Sequence, residues 1–196
     1  MTPEREARIK NVLSNRQPDL TVLLENVHDP HNISAVMRTC DSVGIQEIYV
    51  LNTRISRHEK FGKKSSASAA NWVTINQFDN TNECFKTLRK RYQKVFATHL
   101  EARSSSLYEL DLAEPVALVF GNEHSGVSEE ALSYCDGNFI IPQVGMIKSL
   151  NISVACAVSL YEAFRQRQQK GYYDGESRLS EGELRELSNN WKLYDQ

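Results

Sequence analysis

Apolar runs and amphipathic stretches alternate along this chain and predict a regular succession of strands and helices. Residues 19–27 and 115–120 are mostly apolar runs of the kind found in buried parallel strands. The first of these is expected to lie near the amino end of the fold, and the second is followed by a loop at residues 121–126. Further strands are predicted at residues 46–51, 72–75, 94–98 and 138–141.

Between the strands, helical spacing of apolar side chains predicts helices. In the clearest case, residues 32–44, Asn32 is a suitable N-cap and Gly44 a suitable residue just past the C-terminus. Strands alternating with helices indicate an α/β domain with a mostly parallel sheet flanked by helices. The other predicted helices lie at residues 3–15, 79–91, 128–135, 150–168 and 180–194.

The composition is that of a globular domain. The chain has 196 residues, of which 40% are hydrophobic and 24% are charged. We expect residues 1–170 to form one domain and residues 171–196 a helical extension. No apolar run is long enough to span a bilayer, and the amino end lacks the apolar segment of a signal peptide. The expectation is a cytoplasmic protein without membrane contact.

Cysteine and histidine positions do not follow the spacing of a metal site or a disulfide framework. The four cysteines are dispersed, and Cys40 and Cys156 fall within apolar helical patterns. We therefore expect these two to be buried free thiols, and we expect no bound metal.

Charge is distributed unevenly although the net charge is only −2. Residues 51–110 hold 11 basic and 5 acidic side chains, whereas residues 111–196 hold 7 and 13. An anionic partner would meet the middle third first. A polar loop predicted at residues 52–70 carries five of these cations, Arg54, Arg57, Lys60, Lys63 and Lys64.

The loop at residues 121–126 follows a buried strand, where open α/β sheets place their sites. Its two glycines match the spacing of a phosphate-binding loop, but Val127 replaces the lysine that such a loop requires. A dinucleotide-binding glycine fingerprint is also absent from the sequence. Glu123 is a candidate site carboxylate, although Gly121 alone is equally compatible with a plain turn.

Two further segments are candidates for a site. Asn32 and Arg38 lie on one predicted helix, about 120° apart in projection, so they are either site residues or a cap and a solvated arginine. His28 and His31 precede this helix as turn residues or phosphate contacts. Residues 141–151 are apolar and contain a glycine, and Ser149 or Asn151 caps the helix that follows.

Together these segments, residues 25–40, 118–127 and 141–155, resemble the three motifs of the SpoU/TrmH family of SPOUT methyltransferases. The resemblance covers about residues 5–168. It implies a C-terminal deep trefoil knot, a homodimer, and S-adenosylmethionine held mostly by backbone groups. By position, the cofactor-binding residues are Thr98, His99, Leu100, Gly121, Ile141, Met146 and Leu150.

The resemblance also assigns the chemistry, which is methyl transfer to a ribose 2′-hydroxyl of RNA. It places Arg38 at the hydroxyl, with Asn32, Glu123, Ser149 and Asn151 organising the site. A guanidinium has a pKa above about 12, so we favour a protonated Arg38 that stabilises the developing alkoxide over Arg38 as the base.

The short amino-terminal helix resembles that of the tRNA enzymes, which implies guanosine 18 of the tRNA D-loop as the target. Asn122 and His124 depart from the residues usual beside the motif glutamate. There are three alternatives: a different tRNA or rRNA ribose as the target, an inactive RNA-binding module, and a nucleotide-dependent enzyme. The polar residues assigned to the site argue against an inactive module, because binding alone needs cations. The missing phosphate-binding motifs argue against a nucleotide-dependent enzyme. We expect RNA contacts from His31, Arg54, Arg57, Lys60, Lys63 and Lys64.

Overall fold

The computed structural model describes residues 2–57, 69–101 and 104–191. Within them, seven strands form one sheet in the order β3-β2-β1-β6-β4-β7-β5, and every strand pairing in it is parallel. The predicted α/β class with a parallel sheet is confirmed. The strands are β1 Leu20–Glu25, β2 Glu47–Leu51, β3 Thr74–Phe78, β4 Lys94–Thr98, β5 Ser105–Ser106, β6 Val116–Phe120 and β7 Gly137–Ile140.

Helices cover both faces of the sheet. Along β1, Val22 and Leu24 pack with α2 and α5, whereas Leu23 packs on the opposite face with α3. This alternation follows from the two-residue period of a strand. The α-helices are α1 Pro3–Ser14, α2 Pro30–Ser42, α3 Thr81–Leu88, α4 Glu129–Leu132, α5 Ile152–Gln169 and α6 Glu181–Asn190.

Cys40 on α2 and Cys156 on α5 lie in the core between these helices and the sheet. Both are free and fully buried, as predicted. Burial raises the pKa of each thiol, because a thiolate is poorly solvated in an apolar interior. Neither sulfur is therefore a nucleophile in the folded protein.

The predicted starts of one helix and one strand are wrong, and one short strand was not predicted. Helix α2 begins at Pro30 and is capped by Asp29, whose side chain accepts a hydrogen bond from the His31 amide. Asn32 is therefore inside the first turn and is not the N-cap. Strand β3 begins at Thr74, two residues later than predicted, and the two-residue strand β5 is too short to leave a pattern.

The amino- and carboxyl-terminal helices share a small apolar cluster outside the main core. Trp191 meets Trp72 edge to face at 5.1 Å between ring centroids. Residues from α1 and from the segment around α6 complete this cluster, so the end of the described chain packs onto its beginning. Its buried members are Ile9, Leu13, Leu179, Leu187 and Trp191.

Two arginines are fully buried, Arg16 just before β1 and Arg167 on α5, and each binds partners far along the chain. Arg167 donates to Asp19 Oδ1 at 2.5 Å and to the carbonyl oxygens of Leu112 and Glu114. Arg16 donates to Asp41 at 2.8 Å. Burial lowers the pKa of Arg16, and the carboxylate of Asp41 opposes that shift. Hydrogen-bonded partners make these buried cations tolerable.

In the part of the chain that the structure describes, no helix has both the length and the apolar character needed to cross a membrane.

Candidate active site

The carboxyl ends of β1, β6, β4 and β7 are neighbours at one edge of the sheet. Because parallel strands all point the same way, the segments that follow them also meet at this edge. These segments are residues 26–29, 121–128, 99–101 and 141–151, and they contain most of the candidate site residues.

A chain of hydrogen bonds joins the three motifs at this edge. Asn32 Nδ2 donates to Glu123 Oε1 at 2.9 Å, and Asn151 Nδ2 donates to Asn32 Oδ1 at 3.3 Å. The backbone amide of His28 lies 3.5 Å from Glu123 Oε2. The Asn32 amide therefore donates to one motif and accepts from the other, which fixes its orientation.

Local structure explains why these amides are available. Because Asp29 caps α2, the Asn32 side chain is not used for capping and extends to Glu123. Asn151 caps α5 with its oxygen, which accepts from the Ser153 amide at 2.8 Å. That bond leaves the Asn151 nitrogen directed at Asn32.

Glu123 lies in a closed turn. Asn122 and Gly126 exchange two backbone hydrogen bonds of 3.0 and 2.9 Å. A Cβ at Gly121 would lie 2.1 Å from the carbonyl carbon of Gly126, so only glycine fits there. The Asn122 side chain accepts from the amides of His124 and Ser125. Residues 121–127 therefore form a compact unit.

Arg38 and Ser149 are not part of this hydrogen-bonded set. Both side chains are exposed, and neither makes a hydrogen bond or ion pair with the described residues. Of the five predicted catalytic residues, the structure brings Asn32, Glu123 and Asn151 together.

The predicted cofactor-binding residues lie at the ends of adjacent strands. Thr98, Gly121 and Ile141 follow or end β4, β6 and β7. Thr98 Oγ1 donates to the Val119 carbonyl at 3.2 Å, and the His99 amide donates to Phe139 at 3.3 Å. The apolar side chains on this edge are exposed: Leu100 at 73%, Met146 at 98% and Leu150 at 37%.

The predicted RNA contacts are placed only in part. His31, Arg54 and Arg57 are exposed, and one guanidinium nitrogen of Arg57 donates to the Gln77 carbonyl at 2.8 Å. Lys60, Lys63 and Lys64 lie outside the described residues.

Sequence reasoning missed Glu25, the last residue of β1, and Asn26, which follows it beside the site. Asn26 has a φ of 51°, a left-handed conformation that asparagine adopts more readily than most residues. Glu25 is 1% exposed and accepts from the Ser128 hydroxyl at 2.5 Å. Their position directly after an apolar strand is the signal that could have found them.

Solved structures share this fold. The structure has a TM-score of 0.88 with the crystal structure of the A. aeolicus TrmH/SpoU tRNA modifying enzyme, at 37% identity, covering 98% of this chain and 96% of that one. An AdoMet-bound rRNA methyltransferase from Sinorhizobium meliloti gives a TM-score of 0.67 at 28% identity, covering 79% and 59%. Fold and site together define an RNA methyltransferase.

Sequence relatives agree. The tRNA (guanosine(18)-2′-O)-methyltransferase of Thermus thermophilus is 46% identical over 173 residues, 88% of each chain. The Escherichia coli enzyme of the same name is 40% identical over 188 residues, 95% of this chain and 81% of that one. The family model described as the SpoU rRNA Methylase family matches residues 19–161. This chain belongs to the SpoU methylase family.

Proposed function

We propose that this protein transfers the methyl group of S-adenosylmethionine to the ribose 2′-hydroxyl of guanosine 18 in tRNA. The observation that carries the proposal is the hydrogen-bonded set of Asn32, Glu123 and Asn151, drawn from three distant motifs to one edge of the sheet. The choice of nucleotide is supported by relatives that bear the name of that activity.

The segment between β7 and α5 fits the cofactor. Among the described residues, the backbone of residues 143–149 makes no hydrogen bond to other backbone groups, and the Lys148 carbonyl accepts one long bond of 3.5 Å from the Gln143 side chain. Most of its amides and carbonyls are therefore available to a ligand. Exposed apolar side chains stand beside them, which suits a nucleoside with a polar edge and flat apolar faces. The residues that would hold it are Thr98, His99, Leu100, Gly121, Ile141, Met146 and Leu150.

The deep trefoil knot stays a prediction of family resemblance. It is compatible with the sheet order, in which β7 lies between β4 and β5 before the chain continues to α5.

A ribose 2′-hydroxyl is a very weak acid, so the developing alkoxide needs stabilisation. When bound, the cofactor supplies an electrophilic sulfonium methyl. We assign alkoxide stabilisation to the protonated guanidinium of Arg38. Asn32, Glu123 and Asn151 orient the ribose through their fixed amide and carboxylate groups, and Ser149 adds a hydroxyl at the start of the same segment. Arg38 is exposed and has no polar partner among the described residues, so its guanidinium is available to a bound ribose.

We further propose a homodimer. Apolar side chains are exposed on α5 and on the segment before it, and such surfaces mark interaction sites. Covering them with a second copy would bury the patch and place a neighbouring chain beside the cofactor segment. The exposed residues are Val144, Met146, Ile147, Val154 and Tyr161.

For tRNA we propose contacts from His31, Arg54, Arg57, Lys60, Lys63 and Lys64. Cations in the strand-connecting segment after β2 suit a phosphate backbone, and such contacts weaken steeply with salt. A tRNA substrate is consistent with action in the cytoplasm.

The proposal is tested by incubating the purified protein with methyl-labelled S-adenosylmethionine and two RNAs, an unmodified tRNA transcript and a 23S rRNA fragment. Label in the tRNA, mapped to the ribose of guanosine 18, is the expected result. Label only in the rRNA fragment would favour the family's other RNA class, and label in neither would refute methyl transfer to these RNAs.

A further inference from the structure

The turn that carries Glu123 is hydrogen-bonded at both of its ends to Glu25 and Asn26, at the end of β1. Asn122 Nδ2 donates to the carbonyl oxygen of Asn26 at 2.7 Å. At the other end of the turn, Ser128 donates to both carboxylate oxygens of Glu25, through its amide at 2.8 Å and its hydroxyl at 2.5 Å. Because the turn is closed on itself, its position depends on these anchors.

Asn26 also binds the segment after β2 with its side chain. Its Oδ1 accepts from the amides of Thr53 and Arg54, both at 2.9 Å, and its Nδ2 donates to Thr53 Oγ1 at 3.1 Å. Its own amide donates to the Leu51 carbonyl at 2.8 Å. The left-handed backbone of Asn26 is held by these bonds, and the residue is 5% exposed.

Asn26 therefore contacts two functional segments, one through its side chain and the other through its backbone carbonyl. Its side chain contacts residues 53 and 54, at the start of the segment after β2, and its carbonyl contacts the turn of residues 121–127, called the catalytic turn below. These polar groups of Asn26 are all bonded to protein partners and the residue is 5% exposed, so we assign it no part in the chemistry itself. Asn26 and Asn122 form a direct hydrogen-bonded connection from residues 53–54 to the turn that holds Glu123. The same turn also contacts Glu25, His28 and Asn32.

We infer that Asn26 is a positioning residue that couples the RNA-contacting segment after β2 to the turn holding Glu123. This inference rests on the proposed function, since it requires RNA at that segment. RNA contact at residues 53–57 then orders the catalytic turn, and small errors in such positioning are costly to rate.

Two substitutions cut the two halves of this connection separately. Asn26→Gly tolerates the positive φ and keeps the carbonyl that Asn122 uses, but it removes the bonds to Thr53 and Arg54. Asn122→Asp keeps the acceptor for His124 and Ser125 but removes the donor to Asn26. Asn26→Asp is the conservative control, because its carboxylate still accepts from both amides and the Thr53 hydroxyl can rotate to donate.

Amide hydrogen exchange with and without an unmodified tRNA transcript is the first measurement, and it does not depend on turnover. We expect tRNA to protect residues 53–57 and 121–127 in the wild type and in Asn26→Asp. In Asn26→Gly we expect protection at residues 53–57 alone. Protection of both segments in Asn26→Gly would overturn the inference.

Single-turnover rates at saturating tRNA are the second measurement. We expect Asn26→Gly and Asn122→Asp each to lower the rate about tenfold, with tRNA affinity nearly unchanged. Because the two bonds act in series, the double variant should be no slower than the slower single variant. Multiplicative losses would mean two independent structural roles and would overturn the coupling.

Different results would refute the proposed function and the coupling through Asn26. A wild type that neither binds nor methylates tRNA refutes the proposed function, and the inference falls with it. A wild type that methylates tRNA while the variants behave independently refutes the inference alone.

Discussion

Asn32 and Glu123, 91 positions apart in sequence, are joined by a 2.9 Å hydrogen bond in which the amide is the donor. The bond connects the first turn of α2 to the turn after β6. Asn151 donates to the same Asn32 side chain from the amino end of α5, so one amide holds three segments in register.

Replacing that donor by a carboxylate tests the arrangement. In Asn32→Asp two carboxylates face each other, and their repulsion raises the pKa of the pair. We expect the single-turnover rate relative to wild type to be about a hundredfold lower near pH 8. It should recover in part as pH falls, because a shared proton restores a donor. Asn32→Ala has no such proton, and pH-rate profiles that run parallel in the two variants would contradict the pairing.

Arg38 should contribute mainly in the transition state. We expect Arg38→Ala to lower turnover about a hundredfold or more, the scale of losing one electrostatic donor, with cofactor affinity within a few-fold of wild type. A base role predicts partial activity of Arg38→Lys that rises with pH, whereas stabilisation by a planar guanidinium predicts poor rescue at every pH. Arg185→Ala, an exposed arginine on α6, is the control. Near-normal rates for Arg38→Ala would remove it from the chemistry.

The stability of the fold should depend on Arg167. Arg167→Met leaves the buried carbonyls of Leu112 and Glu114 without their donor and leaves Asp19 with Arg178 as its remaining cation. We expect the free energy of unfolding, measured in urea, to fall by about 3–5 kcal/mol. Arg165→Met on the same helix removes an exposed guanidinium that pairs with Glu162 and Gln169, and Glu162 keeps Gln166 as a donor. The loss of unfolding free energy should therefore be smaller. Equal losses of unfolding free energy in the two variants would show that the burial of Arg167 does not determine its contribution to stability.

The proposed dimer predicts a mass of two chains in light scattering at micromolar concentration. The double variant Val154→Glu, Tyr161→Glu places charges on the exposed face of α5 and should give the 22.3 kDa monomer. Tyr108→Glu changes a similarly exposed ring that is not on α5 and should leave the dimer intact. A wild type of 22.3 kDa would contradict the proposal.

The sequence predicted the features that depend on periodicity. β1 and β6 were recognisable because both are buried on two faces, and Gly44, with a φ of 85°, follows α2 as expected. The start of α2 was not recognisable, because Asp29 and Asn32 are both good caps and only the tertiary bond to Glu123 distinguishes them. Of the two interpretations of Asn32, cap or site residue, the bond to Glu123 favours the site residue that the family resemblance implies.

The polar contacts between residues far apart in the chain could not be predicted from the sequence. Arginine is usually a surface residue, yet Arg16 and Arg167 are fully buried and bind partners far along the chain. Asn26 lies in the first motif, but the sequence assigns it no role, and its role is visible only from its contacts to residues 53, 54 and 122.

The most direct test of the account uses a tRNA that lacks a single oxygen. Two tRNAs are prepared, one unmodified and one with 2′-deoxyguanosine at position 18, and each is incubated with the protein and methyl-labelled S-adenosylmethionine. Binding of both tRNAs with similar affinity, with label entering only the unmodified one at position 18, is the predicted result. Equal labelling of the deoxy tRNA would place the methyl group on a base or another nucleotide and contradict the central claim.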